Sequence, residues 1–405
     1  MTNSTCQTTF RQTLQSLEAR FNALEPEFQL VVRDPAMDLE GYVTVWTTLN
    51  AVNGPLGRVG KGGTRITPTV NHEEIDRLAR TQSLKNAAAG LSLGGAKSGL
   101  RADPRAEGFE AIYRRFVELA APALYVNGGP WGGLGFDLGG DPIHVEWACD
   151  QCGHTRCITG KPTHMGGTDY DKEGIAGLGV AVAARTMLDM AGRDITSTTA
   201  AIQGVGAMGA AVATTFAKFG GMVVMIGDPR LEGSWLLKEP LHGPLLDAIT
   251  TMDFQAARAH LVADGHEQRP LDDVLFHEVD VLFPCALGDV IDTANVPRLQ
   301  AAAVVEGANF PCTNAAREAL HERGVTLIPD FIANPGGAIA AFVEMTSDVS
   351  DEENAKSAAK VTQAKETTAQ MVEANVREVL ETAAVNEVSP VEAGLLLAYR
   401  RILEQ

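Results

Sequence analysis

Hydrophobic residues change their spacing along the first hundred positions of the chain. Apolar side chains recur at helical spacing from Leu14 to Leu24, which predicts a helix. β-Branched and aromatic residues follow in "GYVTVWTTLN" and predict a strand. After a glycine-rich turn, residues 71–89 are predicted to form a second helix, because Asn71 and Glu74 make a variant of the capping box.

From about Gly174 the pattern alternates between short apolar strands and helical stretches. Strands are predicted in "TTAAIQ", "MVVMIG", "DVLFPC", "AVVEGA" and "VTLIPD". Strands that are apolar on both faces are typical of a parallel sheet covered by helices. After Glu344 the chain is charged and helical again. The sequence therefore predicts an α/β fold with two domains, one from residues 1–175 plus 345–405 and one from residues 176–344.

The second domain contains the most specific local motif. Gly204, Gly206 and Gly209 match G-x-G-x-x-G between a predicted strand and a predicted helix. In that context the glycines permit a tight turn, and the helix N-terminus stabilises a pyrophosphate. Ala207 and Met208 lie in the same turn, so all five residues are predicted to bind a dinucleotide in a Rossmann-type domain.

Asp228 ends the strand that follows this turn. A carboxylate there hydrogen-bonds the 2′-hydroxyl of the adenosine ribose and repels a 2′-phosphate. NAD is therefore favoured over NADP as the cofactor. Arg230, two residues later, would weaken that preference.

Charge narrows the range of partners. The 405 residues include 51 acidic and 33 basic side chains, giving a net charge of −18. This charge argues against nucleic acid and anionic membranes as partners, although a small anionic ligand senses only the local field. The first residues lack the apolar segment of a signal peptide. Six unevenly spaced cysteines indicate free thiols in a reducing compartment, so a cytoplasmic location is expected.

A cluster of potential metal ligands stands out at residues 149–157. Cys149, Cys152, His154 and Cys157 have the spacing C-x2-C-x-H-x2-C. Zinc sites separate their ligand pairs by a longer loop. No metal site is therefore predicted.

Several sequence blocks, in one order along the chain, resemble the glutamate/leucine/phenylalanine/valine dehydrogenase family from about Val43 to the C-terminus. The blocks are "KGGTR", "LKNAAAGLSLGGAKSG", "TGKP", "PCALGDVID", "VVEGANFP" and "PDFIANPGGA". The resemblance implies oxidative deamination of an L-amino acid to a 2-oxo acid and ammonia, together with the reverse reaction. It also implies a homo-oligomer whose active site lies in a cleft between a nucleotide-binding domain and a substrate-binding and oligomerisation domain.

By this resemblance, Lys97 is the catalytic base and Lys85 binds the substrate α-carboxylate. A base must take a proton from the water that attacks the oxidised Cα, and a second cation favours a neutral lysine. Gly94, Gly95 and Gly99 surround Lys97. We interpret this stretch as a glycine loop that leaves room for the substrate.

The resemblance also assigns a proton shuttle and contacts near the nicotinamide. Asp137, in "GFDLGG", matches the family's acidic residue, and Asp141 is its rival, with a turn or helix cap as the alternative role. Asn309 and the backbone of Ala286 are implied to contact the cofactor. Asn334 is implied to lie near the substrate amine.

The sequence departs from the family pattern in the segment "EGIAG", residues 173–177. The family's threonine that holds the nicotinamide carboxamide is missing there, and one residue is added. This departure motivates an alternative of another class, a catalytically silent nucleotide-binding homologue with a regulatory role.

Two residues give opposite indications about the substrate. Lys61 begins "KGG" and matches the lysine that pairs with the glutamate side chain in glutamate-specific members. Gly63, two residues later, is also predicted to lie in the substrate site. Ala341 stands where those members offer a serine hydroxyl. Glutamate is favoured because a desolvated ion pair outweighs a neutral hydroxyl contact. The alternative is the same reaction on a branched-chain or other apolar L-amino acid.

Overall fold

The structure, a computed structural model, describes residues 3–347 and 353–404. The helices are α1 (Asn3–Asn22), α2 (His72–Ala88), α3 (Phe109–Ala120), α4 (Ile143–Cys152), α5 (Ile175–Met190), α6 (Ala207–Lys218), α7 (Gly243–Thr250), α8 (Phe254–Ala263), α9 (Asp273–Phe276), α10 (Asn314–Glu322), α11 (Asp330–Ala333), α12 (Gly336–Thr346), α13 (Glu353–Asn386) and α14 (Pro390–Leu403). The strands are β1 (Phe28–Asp34), β2 (Leu39–Thr47), β3 (Gly60–Lys61), β4 (Thr64–Thr67), β5 (Gly94–Arg101), β6 (Thr199–Gln203), β7 (Met222–Asp228), β8 (Gly233–Leu236), β9 (Glu267–Arg269), β10 (Val281–Pro284), β11 (Ala303–Val305) and β12 (Thr326–Ile328).

The described residues form two compact units. The outer unit consists of residues 11–170, 338–347, 353–364 and 395–404. The central unit consists of residues 3–10, 171–337 and 365–394.

This division differs from the predicted domain boundaries in the C-terminal segment. Residues 365–394, predicted to join the substrate domain, belong to the central unit. The reason is packing on α5, where a Cβ at Gly179 would lie 3.3 Å from Thr368 Cγ2 and 3.5 Å from Val372 Cγ2. Thr368 and Val372 are fully buried there, so this part of α13 helps to form the central core.

The sheet of the outer unit is built around β5. Strands β1, β2, β5 and β3 lie in that order, and β4 also pairs with β5. The β1–β2 and β2–β5 pairs are antiparallel, whereas β3 and β4 run parallel to β5. The core beside the sheet includes the fully buried side chains of Tyr113, Phe116 and Trp131.

Helix α2 begins and ends with defined contacts. Asn71 Oδ1 accepts a hydrogen bond from the Glu74 amide at 2.9 Å, so the predicted cap is formed. At the other end, Arg401 of α14 donates to the carbonyls of Ala87 and Ala88, at 3.3 and 2.8 Å. Arg401 therefore adds side-chain donors to the end of α2, where the Ala87 carbonyl also accepts from the Gly90 amide at 2.8 Å.

The sheet of the central unit has the order β12-β11-β10-β6-β7-β8-β9. Strands β12 to β7 in this order are parallel, as the apolar strand pattern predicts. The prediction missed β8 and β9, which are antiparallel edge strands. Both are short, and β8 follows β7 through a tight turn in which Glu232 has φ 59°, so neither carries the pattern of a buried parallel strand.

Among the described residues, no helix combines the length and the apolar character needed to cross a lipid bilayer.

Candidate active site

Lys97 lies in the middle of strand β5, opposite Thr44 of β2. The interpretation of this stretch as a loop is therefore wrong. The side chain is buried, and its Nζ forms an ion pair with Asp137 Oδ2. A lysine on a central strand is held more rigidly than one on a loop, which suits a group that must meet a reacting atom.

Gly95 and Gly99, beside Lys97, allow close helix packing, whereas Gly94 lies against the Thr47 carbonyl at the end of β2. A Cβ at Gly95 would lie 2.1 Å from Ser83 Oγ and 2.2 Å from the Ser83 amide nitrogen, both on α2. A Cβ at Gly99 would lie 2.6 Å from Ile75 Cδ1 on the same helix. These distances are too short for any side chain, so the glycines let α2 lie directly on β5. The expectation that they clear space for a substrate needs correction.

Three groups interact with the Asp137 carboxylate. Lys97 pairs with one carboxylate oxygen, while Arg65 Nη2, at 3.5 Å, and the Leu138 amide, at 2.8 Å, approach the other. Burial alone would raise the pKa of Asp137, but the charges of Lys97 and Arg65 outweigh it and lower that pKa. Asp137 is therefore held in its carboxylate form.

The rival Asp141 is exposed at the beginning of α4. Its Oδ1 accepts a hydrogen bond from the Ile143 amide at 3.0 Å, which is the role of a helix cap. His144, also near this loop, is buried against Tyr113 with 4.8 Å between ring centroids. Neither residue contacts Lys97 in these interactions.

Lys61 ends β3, opposite Gly95 in the parallel pair with β5. Its buried Nζ donates hydrogen bonds to the carbonyls of Gly133, at 2.9 Å, Leu134, and Gly62, at 3.2 Å. Burial is the main cause that lowers the pKa of Lys61 to about 7, and the charges of neighbouring lysines act in the same direction. A carboxylate that binds here would replace at least one carbonyl and restore the charged form.

Three of the other predicted substrate residues, Gly63, Lys85 and Ala341, lie in the same unit, whereas Asn334 lies in the central unit. A Cβ at Gly63 would lie 2.4 Å from the Phe136 carbonyl oxygen, so this glycine allows the Asp137 loop to approach closely. Lys85 is half-buried in the last turn of α2. Ala341 is buried on α12 and supplies no polar atom from its side chain.

A buried ion pair joins Lys161 and Glu344, two residues that were not predicted to be functional. Glu344 Oε2 also accepts hydrogen bonds from the Gly160 amide, at 3.2 Å, and from the amide and hydroxyl of Thr168, both at 3.0 Å. Both charges of the pair influence the pKa of Lys61, so the pair belongs to its surroundings. Lys161 lies in the "TGKP" block, but nothing local in the sequence indicates its partner 183 positions away.

In the central unit, the glycine turn joins β6 to α6 as predicted. Gly204 has φ +84°, a conformation that favours glycine. A Cβ at Gly209 would lie 1.8 Å from the Gly204 carbonyl oxygen, so the helix packs directly on the turn. Helix α6 begins at Ala207, with Met208 in its first turn, and Gly206 at the cap carries no side chain. The open amide groups of this helix end fit a pyrophosphate.

Asp228 is buried at the end of β7, as predicted, but its carboxylate already accepts hydrogen bonds from other residues of the chain. Arg230 donates to it from its backbone amide, Nε and Nη2 at 2.8–2.9 Å, and the Val205 amide donates at 3.0 Å. The Arg230 guanidinium also lies 3.9 Å from the ring centroid of Phe254. The charge of Asp228 is thus largely balanced, and Arg230 lies beside the position where a ribose 2′-substituent is expected.

Asn334 and Asn309 lie together near the end of β11. Asn334 Nδ2 donates to the carbonyls of Gly307, at 2.9 Å, and Ala308, at 3.3 Å, and to Asn309 Oδ1 at 3.3 Å. In the described part of the chain, Asn334 Oδ1 is buried without a hydrogen-bond partner. Such an acceptor fits a donor from a bound molecule. The Ala286 amide donates instead to Gln203 Oε1, at 3.2 Å.

A buried charged triad supports this region. Arg317 bridges Glu306 and Asp330, and the Asp330 amide donates to Glu306 Oε2 at 2.9 Å. Asp330 Oδ2 also accepts from the Phe310 amide at 3.1 Å. The triad therefore joins the chain segments that carry Asn309 and Asn334.

Comparisons with known proteins agree with this architecture. The family model described as "Glutamate/Leucine/Phenylalanine/Valine dehydrogenase" matches residues 166–405, and the model "Glu/Leu/Phe/Val dehydrogenase, dimerisation domain" matches residues 26–151. The chain belongs to the Glu/Leu/Phe/Val dehydrogenase family. It is an NAD(P)-dependent amino acid dehydrogenase with the predicted α/β fold.

The chain is similar to several relatives in this family. It is 32% identical to NAD-specific glutamate dehydrogenase A of Halobacterium salinarum, over 76% of this chain and 71% of that protein. It is 33% identical to NADP(+)-dependent glutamate dehydrogenase of Pyrobaculum calidifontis, over 71% of this chain and 70% of that protein. The relatives thus include enzymes named for each cofactor.

Among solved structures, the fold is similar to that of hetero-hexameric glutamate dehydrogenase from Thermus thermophilus in a form with leucine bound. The TM-score is 0.75 at 24% identity, over 98% of this chain and 95% of that chain. At this identity the likeness supports the fold alone.

The departure from the Glu/Leu/Phe/Val dehydrogenase pattern at residues 173–177 has a packing consequence. A Cβ at Gly177 would lie 2.5 Å from Ala211 Cβ and 2.7 Å from the Met208 carbonyl oxygen. Glu173 pairs with Lys365 at 2.6 Å. The altered segment therefore brings α5 close to α6.

Within residues 3–347 and 353–404, no group of three or more His, Cys, Asp or Glu side chains is arranged to hold a metal ion.

Proposed function

We propose that the protein catalyses the NAD-dependent oxidative deamination of L-glutamate to 2-oxoglutarate and ammonia, and the reverse reductive amination. The Lys97–Asp137 ion pair is the observation that carries this proposal, because it brings a buried lysine of a central strand into contact with a carboxylate of a neighbouring loop. A catalytically silent homologue would have no need of such a pair.

A nicotinamide cofactor held at the glycine turn would supply the acceptor for a hydride from the substrate Cα, and residues of the chain bind the substrate and transfer protons. Water must then add to the oxidised Cα, and Lys97 is proposed as the general base that accepts a proton from that water. Asp137 is in contact with Lys97, so a proton can pass between them and on to the departing amine. Lys85 binds the substrate α-carboxylate, and Asn334 offers its unpaired amide oxygen to a donor.

Lys61 supports glutamate as the substrate. Burial lowers the pKa of the Lys61 amine, and its neighbours are backbone carbonyls. An anionic partner would stabilise the protonated form of this amine. Ala341 supports the alternative, an apolar amino acid, because it leaves the pocket without a hydroxyl.

Initial rates of NADH formation at alkaline pH with a panel of L-amino acids test the substrate. In Lys61→Leu, bound glutamate would keep a buried carboxylate without its cation, at a cost of about 3–5 kcal/mol. We expect kcat/KM for glutamate to fall by about two to four orders of magnitude. The kcat/KM values for leucine and methionine should stay the same or rise. A wild type that prefers leucine, or a variant that keeps its glutamate activity, favours the apolar alternative. Absence of turnover with every amino acid favours the silent homologue.

The Asp228 carboxylate supports NAD as the preferred cofactor, and Arg230 limits the strength of that preference. Asp228→Ala removes the ribose acceptor and the repulsion of a 2′-phosphate together. Its kcat/KM for NAD should fall, and the ratio of kcat/KM for NAD to kcat/KM for NADP should decrease. A wild type that already prefers NADP would overturn the assignment of Asp228.

We also propose that the outer unit binds the substrate and forms the subunit contacts of a cytoplasmic homo-oligomer. The match to a dimerisation-domain model over residues 26–151 supports this assembly. Light scattering coupled to size-exclusion chromatography tests it, and a mass near 42.9 kDa would indicate a monomer and contradict it.

A further inference from the structure

Glu344, near the end of α12, is a buried carboxylate that the proposed proton transfers do not use. Its side chain forms an ion pair with Lys161, which is also buried. The Gly160 amide, at 3.2 Å, and the amide and hydroxyl of Thr168, both at 3.0 Å, donate hydrogen bonds to its Oε2. One carboxylate therefore attaches both ends of residues 160–168 to α12.

The backbone just before this segment pairs with the loop that holds Lys61. The Leu134 amide donates to the Cys157 carbonyl at 2.8 Å, and the Thr159 amide donates to the Leu134 carbonyl at 3.1 Å. That same Leu134 carbonyl accepts a hydrogen bond from Lys61 Nζ. The amide that donates to Glu344 belongs to the residue directly after Thr159. The backbone that Glu344 fixes is thus continuous with the backbone that positions an acceptor of Lys61.

The end of α12 also approaches the side chain of Lys61. A Cβ at Gly132 would lie 3.0 Å from Met345 Cε and 3.1 Å from Lys61 Cδ, so the residue after Glu344 and the stem of Lys61 meet at the same glycine. Burial is the main cause that lowers the pKa of Lys61; the charge of Glu344 opposes this effect, and the charge of Lys161 adds to it. Glu344 therefore bears on both the position and the charge of Lys61.

We propose that Glu344 is a positioning residue for Lys61 and thereby determines the preference for a glutamate side chain. This proposal rests on the proposed binding of that side chain by Lys61. Without the Glu344 carboxylate, residues 157–161 lose their attachment to α12, and the Leu134 carbonyl is no longer held in one place. The Lys61 ammonium then lacks a fixed position from which to meet a side-chain carboxylate, whereas an apolar substrate does not need one.

Hydrogen exchange of the full chain, measured by mass spectrometry, tests the attachment without turnover. In Glu344→Ala, the Leu134 and Thr159 amides should exchange about tenfold faster than in wild type, because their partners are no longer fixed. Glu344→Gln keeps an oxygen for the donors of Gly160 and Thr168, so its exchange should lie between that of wild type and Glu344→Ala. Unchanged exchange at these amides in both variants, or an increase spread evenly over the chain, would overturn the proposal.

Asp280→Ala is the matched control. Asp280 pairs with Arg193 and accepts hydrogen bonds from the Thr199 amide, at 2.7 Å, and hydroxyl, at 2.8 Å, so it makes the same kinds of contact in the central unit. This variant should leave the exchange of the Leu134 amide and the KM for glutamate within about twofold of the wild-type values. Equal effects of Asp280→Ala and Glu344→Ala on both quantities would contradict a specific role of Glu344.

Steady-state kinetics test the link to substrate choice. Glu344→Ala should raise the KM for glutamate about tenfold or more, since small displacements of positioning groups have effects of at least this size. Its kcat/KM for methionine and its KM for NAD should stay within about twofold of wild type, and Glu344→Gln should recover part of the KM for glutamate. Faster exchange with equal losses for glutamate and methionine would refute the role in substrate choice. A wild type inactive on glutamate would instead contradict the proposed function, and the exchange result would still decide the attachment.

Discussion

Glycines flank a predicted functional group in both units, at residues 94–99 and at residues 204–209. Around Lys97, the missing side chains would collide with protein atoms of α2, at 2.1 Å for Gly95 and 2.6 Å for Gly99. In the nucleotide turn, Gly204 needs its positive φ and Gly209 lies against backbone. Gly206 alone of these faces only a flexible side chain, with Arg230 Nη2 3.1 Å from its ideal Cβ.

The two glycine clusters differ in the atoms that occupy the space a side chain would fill. On β5, Gly95 and Gly99 allow a neighbouring helix to approach, and the strand holds Lys97. In the turn, two glycines shape the backbone and Gly206 leaves space at the end of a helix. A run of glycines beside a reactive residue therefore does not by itself indicate a ligand. The identity of the nearest atoms decides between the two roles.

The largest effect is expected for Lys97→Ala. Removal of a general base typically lowers kcat by about two to four orders of magnitude, and the chain offers no second lysine on β5. The affinity for NAD, measured by fluorescence titration, should stay within about twofold because Lys97 lies in the other unit from the nucleotide turn. Retention of most of the wild-type kcat would end its assignment as the base.

Asp137→Asn tests whether the partner of Lys97 contributes to the chemistry. The amide keeps the shape of the site but accepts no proton, so kcat should fall about a hundredfold or more. Asp141→Asn is the matched control, since it alters only an exposed helix cap. A larger loss in Asp141→Asn than in Asp137→Asn would reverse the two roles.

A pair of glycine substitutions tests the comparison itself. Gly95→Ala should lower the free energy of unfolding by about 1–3 kcal/mol, because α2 must move away from β5. Gly206→Ala should change it by less than about 0.5 kcal/mol but weaken NAD binding, because its methyl group occupies the space beside the pyrophosphate. Urea unfolding and NAD titration of both variants provide the measurement. Equal destabilisation by the two substitutions would contradict the distinction.

The smallest effect concerns Lys61, which lies opposite Gly95. Its pKa is lowered to about 7, and only its protonated form attracts a carboxylate. Above pH 7 the free protein must take up a proton to bind glutamate. The ratio of kcat/KM for glutamate to kcat/KM for methionine should therefore decrease with pH, with a limiting slope of about tenfold per pH unit. The ratio cancels ionisations that both substrates share. A ratio that is flat from pH 6 to about pH 9 would show that Lys61 does not bind the side chain.

The sequence predicted those features that depend on local pattern. The Asn71 cap, the parallel strands of the central unit and the turn at Gly204 each follow from residues within a few positions of one another. Asp137 was placed beside Lys97 by family resemblance, and the structure brings the two together.

Features that depend on distant pairing were not predictable in this way. Lys97 looked like a loop residue because its glycines weaken the strand pattern, and only α2 explains them. The partner of Lys161 and the sharing of Asp228 with Arg230 depend on side-chain positions in three dimensions. Strands β8 and β9 are stabilised by the edge of an existing sheet, which short polar segments do not reveal.

The contact of Arg401 with the end of α2 has a consequence for synthesis on the ribosome. The sheet of the outer unit is encoded between residues 28 and 101, early in translation, yet the carbonyl of Ala88 accepts a hydrogen bond from Arg401, 313 positions later in the chain. Until then this helix end, which carries Lys85 one turn earlier, stays unfinished. A nascent or truncated chain can thus contain every proposed catalytic residue and still lack their final support. Truncation before Arg401 should therefore lower the stability of this helix end.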